Sequence, residues 1–135
     1  MNRSPVVVDT DVVSFLAKDH PLAEPYRELL EDRALAISIV TIAEIEYGME
    51  SRRWSEARKD RMRRVLARFT PIPAEGDTAR IWAQIRVYCE RKGRAIGFAD
   101  AWIAATAMQL NLALVSHNAK DYQPIDALTV ISAGS

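Results

Sequence analysis

Short, continuous apolar runs alternate along the chain with longer stretches in which apolar residues recur every three or four positions. "VVV" (6–8), "LAISIV" (35–40) and "LALVS" (112–116) have the composition of strands covered on both faces. "LTVI" (128–131) reads as a last strand, and "FTPIP" (69–73), with its two prolines, as a short or edge strand. Helical spacing predicts helices from about Asp11 to Lys18 and from about Leu22 to Asp32, with a third opened by "TIAEIEYGMES". A fourth helix has Trp54, Met62, Val65, Leu66 and Phe69 available for one face. A fifth carries Ile81, Trp82, Ile85, Tyr88 and Cys89 at helical spacing and ends at Gly93. "ADAWIAATAMQLN" is apolar nearly all round, which predicts a central packed helix with Trp102 in the core. Strand–helix alternation implies parallel pairing with right-handed crossovers. The expected architecture is a three-layer α/β domain, its central, mostly parallel sheet of about five strands flanked by helices.

In such sheets functional residues lie beyond the carboxyl ends of the strands, at helix N-termini. Four acids occupy such junctions. Asp9 follows the first strand, and Glu44 follows "ISIVTIA", in the first turn of the next helix. Asp100 sits in "GFADAWIAATA", and Asp121 in "VSHNAKDY" with Asn118 just before it. Each has a plain structural reading. "TIAE" fits a capping box with Thr41 as the cap and Glu44 reaching back. Asp9, Asp100 and "NAKD" fit helix starts. Together they predict one rim of carboxylates, which would repel one another and raise each other's pKa unless a cation sat between them. Carboxylate oxygens suit Mg²⁺ or Mn²⁺, whereas no Cys/His cluster favours zinc; His20 and His117 stand alone in their regions. The natural use of such a centre is metal-assisted hydrolysis of a phosphate ester.

Composition narrows the setting. With 135 residues, 49% apolar and 27% charged, the expectation is one globular domain over 1–135, not a disordered chain. No apolar run approaches the roughly 18 residues of a spanning helix, and no h-region marks a signal peptide. The single Cys89 suits a reducing compartment, so a cytoplasmic location with no membrane association is expected. The zero net charge hides a polarity: residues 1–50 carry four Lys/Arg against ten Asp/Glu, and residues 52–68 eight against two. The basic stretch reads either as a solvated helix face or as a phosphate-binding flank. Under the second reading Arg52, Arg53, Arg58, Arg61 and Arg64 grip phosphates, with Arg86 and Arg94 near the groove. Trp54, Trp82 and Trp102 read as core or interface residues rather than base-stacking platforms.

The pieces "VVVDTDVVSFL", "TIAEIEYGM", "GRAIGFADAWIAATAMQLNLALVSHNAKDY" and "LTVI" resemble, in order and spacing, the PIN-domain ribonucleases. Within them they are similar to the VapC-type toxins of bacterial and archaeal toxin–antitoxin pairs. The resemblance covers nearly the whole chain and implies a PIN-like domain with Mg²⁺-dependent (or Mn²⁺-dependent) endoribonuclease activity on structured RNA, often tRNA or ribosomal RNA. It implies Asp9 and Asp100 as principal metal ligands. Glu44 would bind or orient the attacking water, and Asp121 would complete the ring. The hydroxyl of Thr10 lies beside the first acid. The family places its fourth acid early or late after the fourth strand; these slots hold Asn118 and Asp121, so the acidic role falls to Asp121, with Asn118 as a polar assistant. Asp11 stands where such toxins usually have asparagine. The resemblance also implies a homodimer and a separate VapB-like antitoxin whose C-terminal segment covers the active groove.

Two other readings bear on the same residues. "DTDVV" imitates a haloacid-dehalogenase-like phosphatase, with Asp9 as nucleophile, Asp11 as acid/base and Ser116 in the next motif. Only 19 residues follow Ser116, too few for the strands that would carry that family's later motifs. A catalytically silent RNA-binding regulator is the other reading, and nothing argues for it while all four acidic positions are filled.

Overall fold

β1 (Val6–Val8) sends its valines alternately to two faces, because successive side chains of a strand point to opposite sides. Val6 and Val8 join one buried cluster and Val7 the other. In this computed structural model, described over residues 3–133, the same division holds along β2 (Leu35–Ser38) and β4 (Ala113–Val115). Ile37 and Val115 face one side, Ala36 and Leu114 the other. With β3 (Thr70–Ile72) and β5 (Val130–Ile131) the strands form a five-stranded, all-parallel sheet in the order β3-β2-β1-β4-β5. The proline-bearing β3 lies at an edge, where its missing N–H is tolerated.

Helices cover both faces. Against Val6 and Val8 pack α1 (Thr10–Ala17), α2 (Ala23–Leu30), α3 (Ile39–Ser51) and α4 (Glu56–Leu66), through residues such as Val13, Tyr26, Ile45 and Met62. Against Val7 pack α5 (Gly76–Arg91) and α6 (Phe98–Leu110), through Ile85, Cys89, Ile103 and Ala107. Gly93, at φ +77°, ends α5: the Gly93 and Arg94 N–H groups bond back to the Glu90 and Cys89 carbonyls. That left-handed turn is open to glycine at little strain. Among the described residues no helix is long and apolar enough to cross a membrane.

Two expectations change. The run "LAISIV" is strand only to Ser38, whose hydroxyl accepts the Val40 N–H at 3.1 Å and so starts α3 at Ile39. Thr41 is therefore inside the helix, buried, and is no cap; Glu44 lies in the second turn, not the first. Trp102 is only half-buried, and its ring stacks on Phe98 at 6.0 Å between centroids. Phe98 is 56% exposed, and burial along α6 begins at Ala101.

The strand order reverses direction at β1: β2 and β3 lie to one side of it, β4 and β5 to the other. Crossovers diverging from adjacent strands leave a crevice at their carboxyl ends, between Asp9 after β1 and Ser116 after β4.

Candidate active site

Asp9 is the N-cap of α1 and only 6% exposed. A carboxylate so placed requires donors, and it has three. Oδ1 accepts the Thr10 N–H at 2.8 Å; Oδ2 accepts the Ser116 hydroxyl at 2.7 Å and the Tyr122 hydroxyl at 2.8 Å. Oδ1 is left with a lone pair.

Asp100, in the first turn of α6, does not cap its helix through its side chain; its Oδ1 receives the Tyr122 hydroxyl at the longer distance of 3.5 Å. Its pKa is pushed up to about 6, by burial first and then by the charges of Asp9, Asp121 and Glu44. The Tyr122 hydrogen bond pulls the other way, but less. Four junctions far apart in the chain thus deliver their carboxylates into one electrostatic field.

Glu44 is exposed on α3, and its Oε1 accepts the Thr10 hydroxyl at 2.7 Å. Thr10 Oγ1 also exchanges a hydrogen bond with the buried Thr41 at 3.1 Å, so Thr41 positions the hydroxyl that positions Glu44. Asp121 is exposed in a 3₁₀ turn, Ala119–Tyr122, that opens after Asn118 without a side-chain cap.

Asn118 turns elsewhere. Its Nδ2 donates to Asp11 Oδ2 at 2.9 Å, the oxygen that also accepts the His117 N–H at 3.1 Å; Asp11 Oδ1 accepts the Val12 N–H at 2.7 Å. Asp11 therefore hooks the start of α1 to the segment after β4. Its pKa is also pushed up to about 6, chiefly by burial and then by Asp9. Of the two polar residues after β4, Asp121 acts on Asp100 and Asn118 is committed to Asp11.

Three contributors carry no sequence pattern of their own. Ser116 is fully buried and serves Asp9, while its Oγ accepts the Asn118 N–H at 3.1 Å. Ser132 in turn donates to the Ser116 carbonyl. Tyr122 is buried, and burial beside Asp9 and Asp100 drives its hydroxyl far above the ordinary phenol value, so it stays a proton donor. The one available sequence signal was an aromatic residue directly after an acid in "AKDY".

The donor set is made of carboxylate and hydroxyl oxygens, with negative charge uncompensated at Asp100, and this fits a hard divalent cation. Among the described residues no three His, Cys, Asp or Glu side chains are drawn together closely enough to hold an ion as they stand.

The arginines are distributed unevenly. Arg52, Arg58 and Arg61 line cavities beside α1 and α3, and the Arg58 guanidinium lies 3.7 Å over the half-buried Trp54 ring. Arg53 and Arg64 are exposed and line neither cavity. Arg86 sits on α5 over Trp82, 5.3 Å from its centroid, on the other face of the sheet. Arg94 donates to Gln123 and to the Lys120 carbonyl, bracing the segment that carries Asp121.

Known proteins share this architecture. The PIN domain profile matches residues 6–128. Ribonuclease VapC5 of Mycobacterium tuberculosis is 30% identical over 122 residues, spanning 89% of this chain and 87% of that protein. Ribonuclease VapC2 of Haemophilus influenzae (strain Rd) is 29% identical over 122 residues, spanning 90% of this chain and 92% of that protein. Among solved structures, VapBC2 of Rickettsia felis bound to a DNA fragment from their promoter superposes with a TM-score of 0.85 at 25% identity. That match covers 98% of this chain and 100% of that one. On the strength of the profile match and of these relatives, the chain belongs to the PIN-domain family, among its VapC members.

Proposed function

We propose that the chain is a divalent-cation-dependent endoribonuclease and the toxin of a toxin–antitoxin pair. The observation that carries this reading is the Tyr122 hydroxyl, 2.8 Å from Asp9 Oδ2 and 3.5 Å from Asp100 Oδ1, which brings those carboxylates together where Asp121 and Glu44 also act on Asp100. Relatives named Ribonuclease VapC, and a VapBC structure that superposes over nearly the whole chain, support it.

Asp9 and Asp100 hold the cation, with Glu44 and Asp121 completing the ring. When bound, Mg²⁺ or Mn²⁺ lowers the pKa of a water and offsets charge on the scissile phosphate. The rest falls to the chain's own groups. Ser116 and Tyr122 fix Asp9 Oδ2, and the Thr10 N–H holds Oδ1, which keeps a lone pair for a cation. Thr10 ties one oxygen of Glu44, so the exposed carboxylate is oriented to receive a proton from the attacking water. Asp11 keeps the segment after β4 in register with α1. The partners of this reading are an RNA substrate, a VapB-like antitoxin on a separate chain, and a second copy in a homodimer.

The phosphatase reading fares worse. Asp11, the acid/base it requires, accepts three N–H groups and is committed to holding the start of α1 against the segment after β4.

The test is RNA cleavage by the purified chain with and without chelator, beside Asp9→Asn and Asp100→Asn. Cleavage that disappears with chelator and in both variants is expected. Cleavage surviving either treatment overturns the proposal.

A further inference from the structure

Helix α4 divides its basic residues by partner. Lys59 pairs with Glu50 at 2.9 Å and Arg63 with Glu46 at 3.4 Å, both acids on α3. Arg58 and Arg61 turn toward the end of α1 instead. Among the described residues neither they nor Lys18 and Arg52 form an ion pair. All four line two adjoining cavities, of about 250 and 320 Å³, which share Lys18, Trp54 and Met62 and so make one groove. The groove begins at Thr10 and Glu44, on the acid rim, and runs past Lys18 and Trp54 to Arg61. Tyr47 lines its first part and is 75% exposed, a large aromatic face with nothing packed over it.

Resting on the ribonuclease reading, we propose that this groove seats a single-stranded segment of the RNA leading away from the cleavage point. Lys18, Arg52, Arg58 and Arg61 hold its phosphates, and Tyr47 stacks one of its bases.

Three arguments favour a nucleic acid strand. The rim itself repels phosphates, so a polyanion reaches it only if anchored nearby, and the cavity that Glu44 lines also carries Lys18 and Arg52. A strand of RNA has both charged links and aromatic faces, and the groove offers four cations against the two acids Asp19 and Glu44, with one open ring. Trp54 is already covered by Arg58, which leaves Tyr47 as the platform. The stack also holds the Arg58 guanidinium in place, reducing the freedom lost on gripping a phosphate.

The experiment uses the full chain in two arms. In the first, an Asp100→Asn background binds a short oligouridylate over a range of salt. For a single strand, each phosphate contact contributes about −0.7 to the slope of log binding constant against log salt. Lys18→Gln with Arg61→Gln should therefore flatten that slope by about 1.4. Tyr47→Leu should weaken binding about tenfold or more, and Tyr47→Phe should restore it. In the second arm the active chain carrying the same groove changes should show a raised KM with kcat nearly kept. Arg80→Gln, whose arginine pairs with Asp77 on α5, controls for net charge and should change neither. These positions are exposed, so the variants should fold.

An unchanged slope and unchanged KM in the charge variants would overturn the proposal. So would equal binding by Tyr47→Leu and Tyr47→Phe, or variants that keep RNA handling yet lose affinity for a partner polypeptide. A chain that cuts no RNA at all fails the ribonuclease reading instead, and the first arm still reports on the groove by itself.

Discussion

Tyr122 donates its hydroxyl to Asp9 Oδ2 at 2.8 Å, joining the 3₁₀ turn near the end of the chain to the first strand-to-helix junction. Removing that hydroxyl while keeping the ring isolates its contribution. Tyr122→Phe leaves a nearly buried carboxylate short of a donor, and stability should fall by about 1–3 kcal/mol. A urea titration measures it. RNA cleavage should fall as well, because Asp9 Oδ2 is then held by Ser116 alone.

Asp100 sets the pH dependence. Its folded-state pKa, about 6, lies above the ordinary 3.8, so the folded chain holds a proton that the unfolded chain releases. Its stabilising contribution is present below 3.8 and is lost as pH rises through about 6. In chelator at about pH 8, Asp100→Asn should melt higher than the unaltered chain, with the gap closing toward about pH 4. Adding Mg²⁺ or Mn²⁺ at about pH 8 should raise the melting temperature of the unaltered chain more than that of the variant. In cleavage the bound cation competes with that proton, so the pH at which activity rises should lie below about 6 and fall further as Mg²⁺ is increased.

Asp11 separates the two hydrolytic readings. A phosphatase with Asp11 as acid/base loses everything on Asp11→Asn. The ribonuclease proposed here keeps cation-dependent cleavage, reduced because a single amide oxygen must replace two carboxylate oxygens that accept three N–H groups. Turnover of RNA and of a generic phosphate monoester by the same variant decides the matter.

Ser38 holds the start of α3. Ser38→Ala removes the bond to the Val40 N–H and should cost about 1 kcal/mol, read as a lower denaturation midpoint. Thr41 and Glu44 lie further along the same helix, so the Thr10–Glu44 contact and cleavage should weaken together.

The layout of the sheet and the placement of Asp9 and Asp100 were legible because short apolar runs and the junctions after them carry strong local signals. The start of α3 was not, because "TIAE" imitates a capping box while Ile39 and Val40, β-branched, extend the look of the strand. Ser38, the actual cap, sits in the middle of that apolar run. Tyr122 escaped, and Ser116 drew notice only through the phosphatase reading, because a hydrogen bond to a distant carboxylate leaves no periodicity to detect. Lys18 escaped differently: it belongs to the acidic part of the sequence and joins the arginines of α4 only through the packing of α1 against that helix.

The parallel strand order has a temporal corollary. Asp9 emerges early in synthesis, yet the hydroxyls that steady it arrive with Ser116 and Tyr122, and β4, the neighbour that completes its flank, is built late. The centre therefore comes together only once the later segment has folded back onto β1, so its assembly waits on the longest-range pairing in the sheet.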